Sequence, residues 1–186
     1  MKLFGSYTSP FVRHCRVVLA LNEQKFELVP TDYAQSAQHS PAKRVPFFTH
    51  NELKLHDSSS ILRYLRNLAG QGFCDDIEDF ELYCLVNTAL DTTINLFLLE
   101  RDGVAVDEVG YLQRQHARVI AILDELNERE WPEVDPQNDA HLRLACFLSW
   151  AQFRERLTIQ QWPNLQAFLA SVNQQPWFAN THPAFS

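Results

Sequence analysis

Residues 1–5 form a short, mostly apolar run and predict a strand. Beyond them, Phe11, Cys15, Val18 and Leu19 recur at spacings of three and four, the inward face of a helix running from Ser9-Pro10 toward Asn22. Residues 25–29 return to a strand pattern and complete a β-α-β unit. The stretch 31–43 is polar and weakly patterned, and reads as a loop with room for one short helix. Two short runs, 45–49 and 52–55, flank His50-Asn51 and predict an antiparallel hairpin with a tight turn. His56-Asp57-Ser58 then caps a helix carrying Ser60, Ile61, Tyr64, Leu65 and Leu68.

Gly70-Gln71-Gly72 ends that helix, and the acidic residues 75–79 place favourable charge at the start of the next. The expected division is therefore 1–74, an α/β domain of order βαβ-ββα, and 75–186, an all-α domain. Helices are expected over 79–100, over 106–129 with Leu112, Val119, Leu123 and Leu126 on one face, and over 140–155 and 163–173. Pro132, Pro136 and Pro163 punctuate them. Trp131, Trp150, Trp162 and Trp177 read as packing aromatics of this bundle.

Composition narrows the function classes. The chain has 186 residues, 46% hydrophobic and 21% charged, enough for a core without staples. A formal net charge of −7, with basic residues scattered, argues against a nucleic-acid surface. Of four cysteines none forms a C-x-x-C pair. Cys15, Cys84 and Cys146 fall inside helical patterns, which predicts buried thiols in a reducing compartment. The N-terminus lacks a signal-peptide core and no apolar run approaches bilayer length, so a cytoplasmic protein with no membrane partner is expected. The seven histidines show no ligand spacing, and no H-E-x-x-H, Walker loop or G-x-G-x-x-G occurs, so neither metal nor nucleotide is expected.

Candidate chemistry sits where the first strand meets the first helix, in Ser6-Tyr7-Thr8-Ser9-Pro10-Phe11-Val12-Arg13. Ser9 can cap the helix, and Pro10 suits its first position because it has no N–H to orphan. Uncapped N–H groups and the positive end of the macrodipole favour an anion here, a thiolate in particular, to which a Ser hydroxyl can donate. Val12 stands where Glu or Gln would close a capping box, and the expectation is that the N–H of Ser9 stays open to a ligand.

The loop Gly5 to Arg13, the pair Val45-Pro46 before a strand, and Asp57-Ser58-Ser59-Ser60-Ile61 occur in an order that resembles the cytosolic glutathione S-transferase family. Trp162-Pro163-Asn164-Leu165 and Gln175-Pro176-Trp177-Phe178 extend the resemblance to essentially the whole chain, most closely to bacterial members with a Ser-Pro-Phe-Val-Arg loop. The resemblance implies a thioredoxin-like N-terminal domain followed by an all-helical one, and a homodimeric transferase. Such an enzyme ionises the glutathione thiol and conjugates it to an apolar electrophile. It implies that Ser9 donates to the glutathione sulfur and that Phe11 adds to the site. Val45 would pair with the cysteinyl backbone across a cis bond to Pro46. Asp57 and Ser58 would hold the γ-glutamyl end, and Arg44, or Lys43 in its place, the glycyl carboxylate. Tyr7, Thr8 and Ser6 stand as alternatives to Ser9. The electrophile pocket would come from Tyr7, Phe11 and residues 95–100.

Related glutaredoxin-like and omega-type proteins carry Cys at the position of Ser9. Ser there disfavours thiol-disulfide exchange, and Cys15 lies too far along the helix to substitute. The family also shows Ser or Thr three residues before Asp at the start of a buried helix. Here the matching residues are Asn138, a good cap, and His141, a poor reciprocal partner. The alternative reading is a non-catalytic binding or regulatory module of the stringent starvation protein type.

Overall fold

Four short strands, β1 (Lys2–Gly5), β2 (Glu27–Pro30), β3 (Phe47–His50) and β4 (Leu53–Leu55), form one sheet of order β2-β1-β3-β4. β1 and β2 run parallel, joined through α1 (Pro10–Leu21), whereas β3 is antiparallel to both β1 and β4. The computed structural model describes residues 1–185 in two compact units, 1–75 with 173–185, and 76–172. The segment 173–185, grouped by pattern with the helical part, packs in the first unit. The expected strand 25–29 forms two residues later at its start and runs to Pro30.

The inner face of α1 holds Val12, Cys15, Val17, Val18 and Leu19, all fully buried, while Phe11, expected inward, is half-buried. The phase is set by contact with β1. A Cβ on Gly5 would stand 2.3 Å from a Val12 methyl, so Val12 closes directly on the strand and Phe11 is turned aside. The polar stretch after β2 contains a real helix, α2 (Tyr33–His39), started by a capping box between Asp32 and Gln35. α3 (Ser58–Leu68) begins at its Asp57 cap and buries Ile61, Leu62 and Leu65.

The second unit holds α4 (Ile77–Arg101), α5 (Gly110–Asn127) and α6 (Asp139–Phe153), with α7 (Pro163–Asn173) closing it; the short α8 (Pro176–Ala179) belongs to the first unit. Two expectations are corrected here. The helix placed at 106–129 starts at Gly110, because residues 106–108 form a separate 3-10 turn. α4, twenty-five residues long, contains an 18-residue window apolar enough to cross a membrane by length and composition, contrary to the expectation that no apolar run approaches that length. Within the protein it packs against α5 and α6.

α6 is buried all round from Asp139 to Ala151, which is why it carries no amphipathic period. Its Arg143, fully buried, donates to the Tyr83 hydroxyl on α4. Asn138 caps it by accepting from the N–H groups of Ala140 and His141, each at 3.0 Å. In place of the missing reciprocal partner, Asn138 Nδ2 donates to Asp79 Oδ1 at 2.9 Å, tying α6 to the first turn of α4. His141 instead stacks edge-on against Trp131 and Phe168, and burial lowers its pKa against the opposing pull of Asp79 and Asp135. Cys15 and Cys146 are buried as expected, but Cys84 is exposed. It faces away from the Tyr83, Val86 and Leu90 side of α4, and its thiol pKa is raised by partial desolvation and by Glu81.

Candidate active site

Sheet register gathers three loops at one end of the sheet. Phe4 pairs with Phe47, so the residues that follow β1 and those that precede β3 leave the sheet on the same side. Phe48 pairs with Leu55, so the chain leaves β4 there too. Residues 6–9, 44–46 and 56–58, far apart in sequence, are thus brought to a common edge within the first unit.

Ser9 is the cap of α1, in extended backbone geometry, and its Oγ accepts from the Val12 N–H at 3.4 Å. The oxygen accepts, so the hydroxyl proton is the part available to donate outward. The N–H of Ser9 is not open to a ligand, contrary to expectation. It donates to the Ser6 carbonyl at 3.1 Å and closes the turn into the helix. The Ser6 and Thr8 hydroxyls engage each other at 2.9 Å, and Ser6 Oγ also accepts from the Thr8 N–H at 3.2 Å. The Tyr7 ring is exposed and lies 4.9 Å from the Arg16 guanidinium. Of the four neighbouring hydroxyls, Ser9 alone sits at the helix start as its cap.

The Val45-Pro46 peptide is cis. Val45 lies outside β3, and among the described residues its N–H and C=O make no backbone hydrogen bond, leaving a strand-like edge for an extended ligand. Pro46 behind it is buried. Asp57 Oδ1 accepts from the Ser59 N–H at 2.8 Å, while Oδ2 lies 3.7 Å from Arg44 Nη2. Ser58 is buried at the first position of α3. Lys43 has a left-handed backbone, φ 51, and is exposed.

Sequence reasoning misses several of the groups that hold these loops. Ser40 Oγ and His56 Nδ1 lie 3.0 Å apart and join the loop before Arg44 to the residue before Asp57. Arg13, read only as part of the loop, is buried and fixed by residues of the C-terminal segment. No local signal marks either contact, whereas the Asp32-x-x-Gln35 box that orders α2 was open to reading. Residues 95–100 lie on α4 in the second unit. There Leu96, Phe97 and Glu100 line a cavity of about 340 Å³ with Leu112, His116, Val119 and Leu157, and Glu100 pairs with Arg156, which also lines it, at 2.6 Å.

These elements define a thioredoxin-like domain followed by a mostly helical remainder. Residues 3–72 match the family model described as the glutathione S-transferase N-terminal domain. No curated protein matches it. Among solved structures it is similar to a glutathione S-transferase from Methylobacillus flagellatus KT with glutathione bound. That pair is 24% identical over 98% of each chain, with a TM-score of 0.83. A glutathione S-transferase from Methylobacterium radiotolerans JCM 2831, in complex with glutathione sulfonate, is 21% identical over 98% of this chain and 94% of that one, TM-score 0.82. A maleyl pyruvate isomerase, a bacterial glutathione S-transferase of the zeta class, is 16% identical over 100% of this chain and 98% of its own, TM-score 0.80. At these identities the likeness is one of fold.

Proposed function

We propose that the protein is a glutathione transferase in which Ser9 donates to the glutathione sulfur, holds it as thiolate and delivers it to an apolar electrophile. The observation that carries this reading is the register that brings Ser9, the open edge of Val45 and the Asp57-Ser58 helix start to one end of the sheet. A free thiol ionises near pH ~8.5. A charge-assisted hydrogen bond of about 1.5–3 kcal/mol, helped by about 0.3–1 from the helix terminus, suffices to bring it one to three units lower.

In this reading the γ-glutamyl ammonium binds Asp57 and its carboxylate binds Ser58 at the start of α3. The cysteinyl backbone lies along Val45, and Arg44 meets the glycyl carboxylate. Phe11 and Tyr7 flank the sulfur. The protein works as a cytoplasmic homodimer without metal, nucleic acid or membrane. Glutathione calorimetry joined to a thiolate absorbance titration tests the proposal. Millimolar glutathione should bind, and the bound thiol should ionise below its solution pKa in wild type but not in Ser9→Ala. A wild type that leaves glutathione unbound favours the regulatory-module reading instead. Reversible addition that returns glutathione and an isomerised product uses the same groups, and product analysis separates it from conjugation.

A further inference from the structure

Arg13, one helical turn beyond Ser9, is 2% exposed. A guanidinium taken out of water needs its donors met, and residues more than 160 positions away meet them. Its Nε donates to Thr181 Oγ1 at 3.0 Å and its Nη2 to the Phe178 carbonyl at 3.1 Å. The guanidinium carbon stands 3.8 Å from the centre of the Phe178 ring. Thr181 Oγ1 in turn donates to the same carbonyl at 2.7 Å, so the hydroxyl locks receptor and tail together. A second arginine reads the same segment from the other side of the turn. Arg16 Nη1 donates to the Thr181 carbonyl at 3.3 Å while its guanidinium covers the Tyr7 ring at 4.9 Å. Both grips lead back to the site: the Arg13 N–H donates to the Ser9 carbonyl at 2.9 Å, and Tyr7 lies within the turn that the Ser9 N–H closes.

We propose that the C-terminal segment around Phe178 and Thr181 is a clamp on the thiol site, and that Arg13 and Arg16 are positioning residues that transmit its grip to Ser9 and Tyr7. A segment that served packing alone would need only the apolar contact of its buried Phe178 ring. This one in addition commits the Phe178 and Thr181 carbonyls and the Thr181 hydroxyl to the two arginines that bracket the first turns of α1. The clamp sets the direction of the Ser9 hydroxyl and holds a fixed positive charge one turn behind it. Both effects favour a thiolate. The inference rests on the glutathione reading for its chemistry but not for its geometry.

Full-length Thr181→Val, Thr181→Ser and Arg16→Met test it by two readouts, since Arg13→Met removes a buried charge and risks loss of folding. In Thr181→Val the pKa of bound glutathione should rise by about half a unit, roughly a threefold loss of thiolate below that pKa, with amide exchange quickened at residues 9–13. Thr181→Ser, which keeps the hydroxyl, should restore both. Arg16→Met should weaken glutathione binding with exchange quickened around Tyr7. If Thr181→Val lowers only the melting temperature, leaving thiol pKa and local exchange as in wild type, the segment is packing and the clamp is wrong. If wild type binds no glutathione, the functional reading fails by itself. Exchange then decides the clamp: quickening confined to residues 6–13 in Thr181→Val, reversed in Thr181→Ser, upholds it, and unchanged exchange overturns it.

Discussion

Arg44 Nη2 and Asp57 Oδ2 stand 3.7 Å apart, so the two charged groups assigned to opposite ends of glutathione face each other across the open site. Both side chains are about half exposed, and an ion pair of this kind contributes about 0–1 kcal/mol. A ligand bringing its own ammonium and carboxylate therefore meets little resistance in parting them. Asp57→Asn keeps the Oδ1 acceptor that caps α3 through Ser59. Its folding stability should stay within about 1 kcal/mol of wild type while glutathione weakens by about 1.5–3 kcal/mol, the scale of a charged hydrogen bond. Chemical denaturation and calorimetry on the same preparation check both halves, and equal affinity in the variant removes Asp57 from the site.

Ser9 has two separable duties. Its bond to the Val12 N–H is long, 3.4 Å, so Ser9→Ala should cost only the lower end of the usual range for a lost cap, about 0.5–2 kcal/mol. The chemical loss should be larger. The bound thiol should return toward pKa ~8.5, while Tyr7→Phe, whose ring lies exposed against Arg16, leaves it near the wild-type value. The opposite pattern in a thiolate titration transfers the role to Tyr7.

Gly5 is required by closeness rather than by backbone conformation. In Gly5→Ala the new methyl would stand 2.3 Å from Val12 Cγ2, between β1 and the first turn of α1, with no room to yield. Overpacking of this kind costs about 1–3 kcal/mol. Thermal melts should show the loss in Gly5→Ala and recover part of it in Gly5→Ala/Val12→Ala. Additive losses in the double variant would show that Val12 is not the obstacle.

How much of this is legible in the sequence depends on the distance over which each signal acts. The start of α1 is readable because Ser9 and Pro10 act locally, and the hairpin because one apolar and one alternating run lie close on either side of His50-Asn51. α2 escapes a search for apolar periods because Ser36 is its one buried residue among those described. α6 forms where a helix is expected, at 140–155, but being buried on every side it has no polar face to set against an apolar one, so its sequence does not show which face meets which neighbour. The register that assembles the site follows once the strands are paired. The burial of Arg13 does not, because its partners are Phe178 and Thr181 and nothing near either end of the contact announces the other.

His141 makes folding stability depend on pH with a definite sign. Its Nδ1 is buried without a hydrogen-bond partner among the described residues, and the ring is enclosed by Trp131 and Phe168. Desolvation holds its pKa below the ordinary value, outweighing Asp79 and Asp135, which favour the charged form. The folded protein thus releases the proton more readily than the unfolded chain, whose histidine titrates near pH ~6.5. Above that pH the two states bind it equally. Below it the unfolded chain takes up protons that the folded one refuses, so stability falls with pH until the folded-state pKa is passed. His182, also lowered by burial and by Arg13, adds a contribution of the same sign. His141→Phe keeps the ring contacts and removes the unpartnered nitrogen. Its denaturation midpoint, followed from pH 7 downward, should fall less steeply than that of wild type below pH ~6.5, with His182→Gln giving the smaller change. Parallel curves for wild type and His141→Phe would place the acid sensitivity elsewhere.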